Sequence, residues 1–242
     1  MFIIIKDITN KMPKIDLYHH PLSQPSRALH ALLVAGDVPF ESHLLNVLKG
    51  EHKAPDILKI NPAGTIPFIL VDGEPLYESA AILRYIAVKF PSCAAYYPEG
   101  PEKRAMIDAA LDFNGTSVRP ASMGAFTQVM FPRMGKKEPS AEVHATSAAS
   151  YVKFMGLMAM MNGAMEQRGH LYTGGDTITI ADFQLFATIC DIFYQGKTAE
   201  EEFKDLPKVL DWFNRCAAAK GGSCRLKRQY PGLLPHKGLM GN

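Results

Sequence analysis

The segment Ser23-Gln24-Pro25-Ser26-Arg27 follows a short apolar strand pattern, Ile15-Asp16-Leu17-Tyr18, and opens an amphipathic helical pattern. A helix start aims unpaired backbone N–H groups and a partial positive charge at whatever precedes it. A serine hydroxyl at that point can donate a hydrogen bond to an anion, and a thiolate is the anion best suited. The same hydroxyl can instead simply cap the helix. Ser26, one turn further on, offers a second hydroxyl for either task. Ile66-Pro67 is a second feature. The residue before a proline is pushed into extended geometry, so Ile66 can pair its N–H and C=O with the backbone of a bound peptide, as in strand addition. An edge-strand proline is the plainer reading. Glu78-Ser79 precedes a helical stripe that begins at Ile82, where a carboxylate or hydroxyl is ordinary capping chemistry. The adjacent His19 and His20 invite a metal reading. No third ligand is near them in sequence, and zinc sites want three or four convergent ligands, so no metal is expected.

These residues need elements to position them. Ile15–Tyr18 reads as a strand. Ala28, Leu29, Leu32 and Leu33 recur at helical spacing, and Gly36 closes that helix. Residues 40–45 read as a second strand, residues 51–60 as a short weak helix, and Asn61-Pro62-Ala63-Gly64 as turn chemistry. A third strand over 66–71, an Asp72-Gly73 hairpin turn and a short strand at 75–77 follow. Ile82, Leu83, Ile86, Ala87 and Phe90 form a further helical stripe. Strands alternating with helices, then a hairpin, predict a sheet with a parallel portion and an antiparallel edge. Pro91, Pro98, Gly100 and Pro101 mark a linker. Beyond it strand signals nearly vanish: residues 102–130 and 141–168 read as long helices separated by Pro132 to Pro139. Thr179-Ile180-Ala181-Asp182 has capping-box spacing with Asp in place of the usual Glu, and the helix it opens is apolar all round, hence buried. Leu206–Ala219 is a last helix, with Trp212 facing inward. The expected organisation is an extension over 1–13, an α/β domain over 14–91, a linker over 92–101 and an all-helical domain with a tail over 102–242.

The composition is that of an ordinary globular protein: 47% hydrophobic and 21% charged residues over 242 positions. A net charge of +2 is too small to argue for nucleic acid or an acidic membrane surface. The basic run Arg225-Leu226-Lys227-Arg228 lacks the interleaved aromatics of a nucleic-acid site. No apolar run approaches the length of a membrane span, and Phe2-Ile3-Ile4-Ile5 is too short for a secretory signal. Cys93, Cys190, Cys216 and Cys224 form no Cys-x-x-Cys pair, so they read as reduced packing thiols in a cytoplasmic protein.

Taken in order, Leu22-Ser23-Gln24-Pro25-Ser26-Arg27, Asn61-Pro62-Ala63-Gly64-Thr65-Ile66-Pro67 and Leu76-Tyr77-Glu78-Ser79-Ala80-Ala81-Ile82 resemble the glutathione S-transferases. Leu48-Lys49-Gly50-Glu51-His52 is similar to the theta class within them. Thr116-Ser117-Val118-Arg119, Val129-Met130-Phe131-Pro132 and Thr179-Ile180-Ala181-Asp182 extend the resemblance over nearly the whole chain. It implies a thioredoxin-like domain (βαβ-α-ββα) followed by a helical bundle. It also implies a detoxifying glutathione transferase that conjugates the thiolate to halides and epoxides and reduces hydroperoxides, as a homodimer, with no metal.

The resemblance assigns roles residue by residue. Ser23 donates to the sulfur. Lowering a thiol pKa by about two units takes ~2.7 kcal/mol, and one hydroxyl bond to an anion supplies ~1.5–3 kcal/mol. Gln24, Ile66 and Pro67 line the peptide, with a cis bond at Pro67. Glu78 and Ser79 take the γ-glutamyl end, its carboxylate lying on a helix start. His52 and Lys53 take the glycyl carboxylate, and Thr65 stands where theta relatives often carry a lysine. Arg119 reaches the thiolate or leaving group, the alternative being a solvated arginine or one engaged in an interdomain salt bridge. Phe126, Met130 and Phe131 line the electrophile pocket, the alternative being core packing. Two rivals remain. Thiol–disulfide exchange would need cysteine at position 23. A non-enzymatic interaction module would not need Ser23, Ile66-Pro67 and Glu78-Ser79 together.

Overall fold

The computed structural model describes residues 12–134, 137–195 and 197–221, and these divide by their packing into two units at Pro98/Glu99. The extension before Met12, Cys224, the basic run at 225–228 and the tail from Tyr230 lie outside the described residues.

In the first unit β1 (Ile15–His19), β2 (Glu41–Leu44), β3 (Phe68–Val71) and β4 (Glu74–Tyr77) form one sheet in the order β2-β1-β3-β4. β1 runs parallel to β2, and β3 runs antiparallel to both β1 and β4. A parallel β1–β2 pair requires a crossover, which α1 (Gln24–Ala35) supplies. The period-two alternation of the strands sorts their residues. Ile15, Leu17, Ile69 and Val71 share one face and are buried. On the opposite face Tyr18 stacks between His43 and Phe68, with ring centroids 4.5 Å from each. α1 packs on α3 (Ser79–Lys89), and Ala28, Leu29, Leu32 and Leu33 of the one and Ile82, Leu83 and Ile86 of the other have no solvent exposure. α1 stops at Gly36, where a side chain would collide with the sulfur of buried Cys93. Cys93 lies in a short 3₁₀ turn, Pro91–Tyr96, that packs on α3. α2 (Pro55–Ile60) is a short helix with no buried residue.

The second unit is helical. α4 (Pro101–Phe113), α5 (Arg119–Ser122) and α6 (Gln128–Met134) are joined by two π-helical turns, Asn114–Val118 and Met123–Thr127. The expected single helix over 102–130 is thus widened twice. The reason is in its buried positions: Val118, Ser122, Phe126 and Met130 recur every four residues. An ideal helix of 3.6 residues per turn would carry such a set about 40° further round at each step. A π turn takes one extra residue and returns the stripe to the core. α7 (Ala141–Arg168), α8 (Ile180–Ile189), α9 (Ala199–Glu202) and α10 (Pro207–Ala218) complete the unit. Every residue of α8 is buried.

At the start of α8, Asp182 is fully buried and its carboxylate accepts five hydrogen bonds. They come from the N–H and hydroxyl of Thr173 (3.0 and 2.8 Å), the N–H and hydroxyl of Thr179 (both 2.8 Å) and the indole N–H of Trp212 (2.9 Å). The capping-box spacing foretold only the Thr179 part of this.

Candidate functional site

Ser23 is the N-cap of α1, in extended geometry (φ −82°, ψ 115°). Its N–H donates to the His20 carbonyl at 3.0 Å, and its own carbonyl accepts the first helical bond from Arg27 N–H at 3.1 Å. Its hydroxyl makes two long contacts. It accepts from Ser26 N–H at 3.4 Å and donates to the Ile66 carbonyl at 3.4 Å. Pro25 has no N–H to contribute, so the first turn exposes few backbone donors beside this hydroxyl. Ser23 is half-buried, whereas Ser26 is 1% exposed and its Oγ accepts the His20 N–H at 3.5 Å. Of the two candidate hydroxyls, only Ser23 faces outward. Gln24 is buried in the same turn.

The loop before α1 is pinned from inside. The Arg27 guanidinium donates to the carbonyls of Pro21 (3.0 Å) and Leu22 (3.4 Å). Leu22 N–H donates to His20 Nδ1 at 3.2 Å. His19 turns to the other face of the strand and bonds Ser42 through Nε2 at 2.8 Å. The two histidines therefore do not converge. Burial and the neighbouring His30 and His20 push the His19 pKa down to about 4.

Opposite Ser23 stands the segment 61–67. Asn61 is fully buried and organises it. Its side-chain amide donates to the Thr65 carbonyl at 2.8 Å and its Oδ1 accepts Ala63 N–H at 3.2 Å, while its carbonyl accepts Gly64 N–H at 2.9 Å. Gly64 takes φ 57° at the turn, a conformation that glycine adopts without steric cost. The chain emerges at a cis Ile66–Pro67 bond, with Ile66 half-buried and Thr65 exposed. The turn motif flagged Asn61-Pro62-Ala63-Gly64 only as loop chemistry. The organising asparagine was missed, and its one sequence signal was an Asn placed to bond its own turn.

Glu78 precedes α3 with φ 72° and ψ 105°. A non-glycine residue in this region is strained, and such strain concentrates at functional sites. Ser79 opens α3, whose first-turn N–H groups have no intrahelical acceptor. Beside the 61–65 turn, His52 is half-buried and Lys53 exposed. The Nδ1 of His52 is shielded from solvent and makes no hydrogen bond. Burial, with the Lys53 charge beside it, lowers the His52 pKa, so His52 is neutral near pH 7 and Lys53 carries the positive charge of the pair.

Among the described residues, one set of three, Asp16, Glu41 and His43, brings potential metal-ligand atoms within 4.8 Å of one another. Lys14 Nζ lies 3.1 Å from Asp16 and 2.9 Å from Glu41, and His43 Nε2 lies 2.9 Å from Asp16. The set is an ion-paired network at the β2 edge of the sheet. Burial raises the Asp16 pKa, but the bonds from His43 and Lys14 outweigh it and the pKa ends below the ordinary value.

The remaining candidates belong to the second unit. Arg119 is half-buried at the start of α5, directly after the first π turn. Phe126 is 1% exposed and packs edge-on against Phe154 (5.3 Å) and Tyr151 (6.2 Å). That is the core alternative of the sequence reading. Met130 is 9% exposed, and the Phe131 side chain lies outside the description.

A sheet-and-helix unit that presents a serine at a helix start opposite an extended segment at a cis-proline, followed by an all-helical unit, defines a thioredoxin-like domain joined to a helical domain. Residues 13–88 match the family model "Glutathione S-transferase, N-terminal domain", and residues 125–221 match "Glutathione S-transferase, C-terminal domain". The chain belongs to the glutathione S-transferases. It is 29% identical to glutathione S-transferase theta-1 of Mus musculus over 209 residues, 86% of this chain and 84% of that protein. Apo human glutathione-S-transferase T1-1 superposes with a TM-score of 0.76 at 26% identity, covering 90% of this chain and 89% of that one. A Bombyx mori glutathione transferase, BmGSTD1, superposes with 0.73 at 26% identity over 90% and 99%. The chain is therefore a glutathione transferase of theta-like character. No helix among the described residues is long and apolar enough to cross a membrane.

Proposed function

We propose that this enzyme ionises glutathione at the start of α1 and conjugates the thiolate to small hydrophobic electrophiles, alkyl halides and epoxides first, with hydroperoxide reduction as a second outcome of the same sulfur chemistry. One observation carries the reading: the Ser23 hydroxyl sits at a helix start within 3.4 Å of the Ile66 carbonyl. A hydrogen-bond donor, a positive helix end and a peptide edge meet there.

In this mechanism Ser23 donates to the sulfur and never attacks the substrate. The Ile66 backbone pairs with the cysteinyl unit, beside Gln24 and Pro67. Ser79 and the α3 N–H groups receive the γ-glutamyl carboxylate, and Glu78 faces its amine. Lys53 supplies the charge for the glycyl carboxylate, with neutral His52 and Thr65 as polar neighbours. The lysine missing at position 65 weakens that end relative to theta relatives. Holding two reactants together then carries much of the rate, without a metal or a covalent enzyme intermediate. The enzyme works as an isologous homodimer in the cytoplasm. The buried thiols of Cys93, Cys190 and Cys216 suit that reducing compartment.

The test pairs glutathione titration calorimetry with thiolate absorbance, followed by turnover of halide, epoxide and hydroperoxide substrates. Binding accompanied by a thiol pKa below about 7.5 supports the reading. Binding without ionisation marks an interaction module instead. No turnover of any halide or epoxide overturns the substrate class.

A further inference from the structure

Two groups that the proposed mechanism assigns to the same ligand are bonded to each other in the free protein. The Ser23 hydroxyl donates to the Ile66 carbonyl at 3.4 Å. A serine hydroxyl has a single proton to donate, so it cannot serve that carbonyl and a sulfur at once. The Ile66 carbonyl is also the acceptor that an extended cysteinyl unit would claim with its N–H.

We infer that glutathione docking exchanges these bonds: the cysteinyl N–H takes over the Ile66 carbonyl, and the released Ser23 proton turns to the sulfur. The inference rests on the reading of Ser23 as thiolate donor. Thiol ionisation is then conditional on a docked peptide backbone, and the proton lost from sulfur passes to solvent. A small thiol without the amide meets a serine still held by Ile66, so the site discriminates against other cellular thiols at the ionisation step as well as at binding.

The surroundings favour a switch of hydrogen bonds over a movement of chain. Ser23 lies on a loop clamped by Arg27 at Pro21 and Leu22. Ile66 follows a turn clamped by Asn61 at Thr65. The exchange therefore needs rotation of one hydroxyl and little else. Ser26 cannot stand in for Ser23, because it is 1% exposed and so out of reach of a docked sulfur.

Two measurements test the exchange on the full-length protein. The first uses a glutathione analogue whose cysteinyl N–H is replaced by an ester oxygen. Each bound thiol pKa, read by thiolate absorbance at saturation, is compared with that of the same compound free in solution. In the wild type the replacement should raise the bound pKa by about one unit. In Ser23→Ala, where no hydroxyl remains to be released, it should add no further shift. Equal shifts in both proteins, or none in either, overturn the exchange. The second uses S-methylglutathione, which keeps the N–H and has no thiolate. Ser23→Ala removes the competitor for Ile66, so calorimetry should show binding about 2- to 10-fold tighter than wild type. Unchanged or weaker binding overturns the exchange and means that the carbonyl accepts both donors together. Failure of the underlying reading looks different: glutathione itself would show the same bound thiol pKa in wild type and Ser23→Ala.

Discussion

Two helix starts in this molecule carry similar sequence signals and meet opposite fates. At α8, Asp182 has no solvent exposure and accepts five hydrogen bonds of 2.8–3.0 Å. At α1, Ser23 is half-buried and its hydroxyl makes two contacts of 3.4 Å each. A buried carboxylate must be fully bonded, because each unsatisfied partner costs about 1–3 kcal/mol. A half-exposed hydroxyl faces no such demand, and it can exchange partners at little cost. The comparison teaches where chemistry can reside. The saturated junction holds helices together, and the undersaturated one has bonding capacity to spend on a ligand.

The sharpest way to break this contrast is Asp182→Ala. Three donors, the half-buried Thr173 N–H and the buried Thr179 N–H and Trp212 indole, would lose their acceptor together. The expected loss is about 4 kcal/mol, or roughly 10 °C in the thermal midpoint. A midpoint within about 2 °C of wild type would mean that the α8 start is not the keystone described here. Ser23→Ala should show the reverse profile. The bound glutathione thiol pKa should rise by about one to two units, with turnover near pH 6.5 down about 10- to 100-fold. Stability should fall by less than about 1 kcal/mol, as read by urea unfolding. A larger stability loss with an unmoved thiol would make Ser23 a structural cap like its counterpart.

A third prediction uses acid to weaken the first unit. His19 titrates at about 4 in the folded chain and near 6.5 when unfolded. The unfolded state therefore binds the proton first as pH falls. The stability that neutral His19 contributes is fully present above about pH 6.5 and is lost progressively down to about pH 4. Between pH 7 and pH 5 the loss should be about 2 kcal/mol, and His19→Gln should flatten that part of the urea-unfolding pH profile. An identical profile in His19→Gln would assign the acid sensitivity elsewhere. The smallest effect concerns helix α1 at its other end. Gly36→Ala should cost about 1–2 kcal/mol by driving a methyl group into the Cys93 sulfur. Cys93→Ala in the same chain should recover part of that loss in a thermal melt.

Much of the fold was legible because it rests on local periodicity. The alternation in Ile15–Tyr18, the stripe Ala28-Leu29-Leu32-Leu33 and the hairpin turn at Asp72-Gly73 each report a neighbour a few residues away. The four-residue spacing of Val118, Ser122, Phe126 and Met130 was equally present in the sequence, yet it was read as an ordinary helix. Its meaning emerges only when the stripe must stay against a core. The site was legible in part. Ser23, Ile66-Pro67 and Glu78-Ser79 stand out as short motifs, but Asn61 and Arg27 do not. Their roles consist of hydrogen bonds to carbonyls whose positions the loop geometry sets. Phe126 could be read as pocket or core, and its packing on Phe154 and Tyr151 joins residues too far apart in sequence for spacing to reveal.

By itself the sequence determined the order of elements, the change from α/β to helical character near Pro91–Pro101, and the placing of a hydroxyl at a helix start. Those features follow from backbone preferences and side-chain spacing, which act within a turn or two. The tertiary structure alone decided which of Ser23 and Ser26 faces outward. It also joined Ser23 to a carbonyl 43 residues away and gathered Thr173, Thr179 and Trp212 onto one carboxylate. Such pairings depend on loop closure and burial, whose free energy belongs to the whole packed unit and is written in no single stretch of chain.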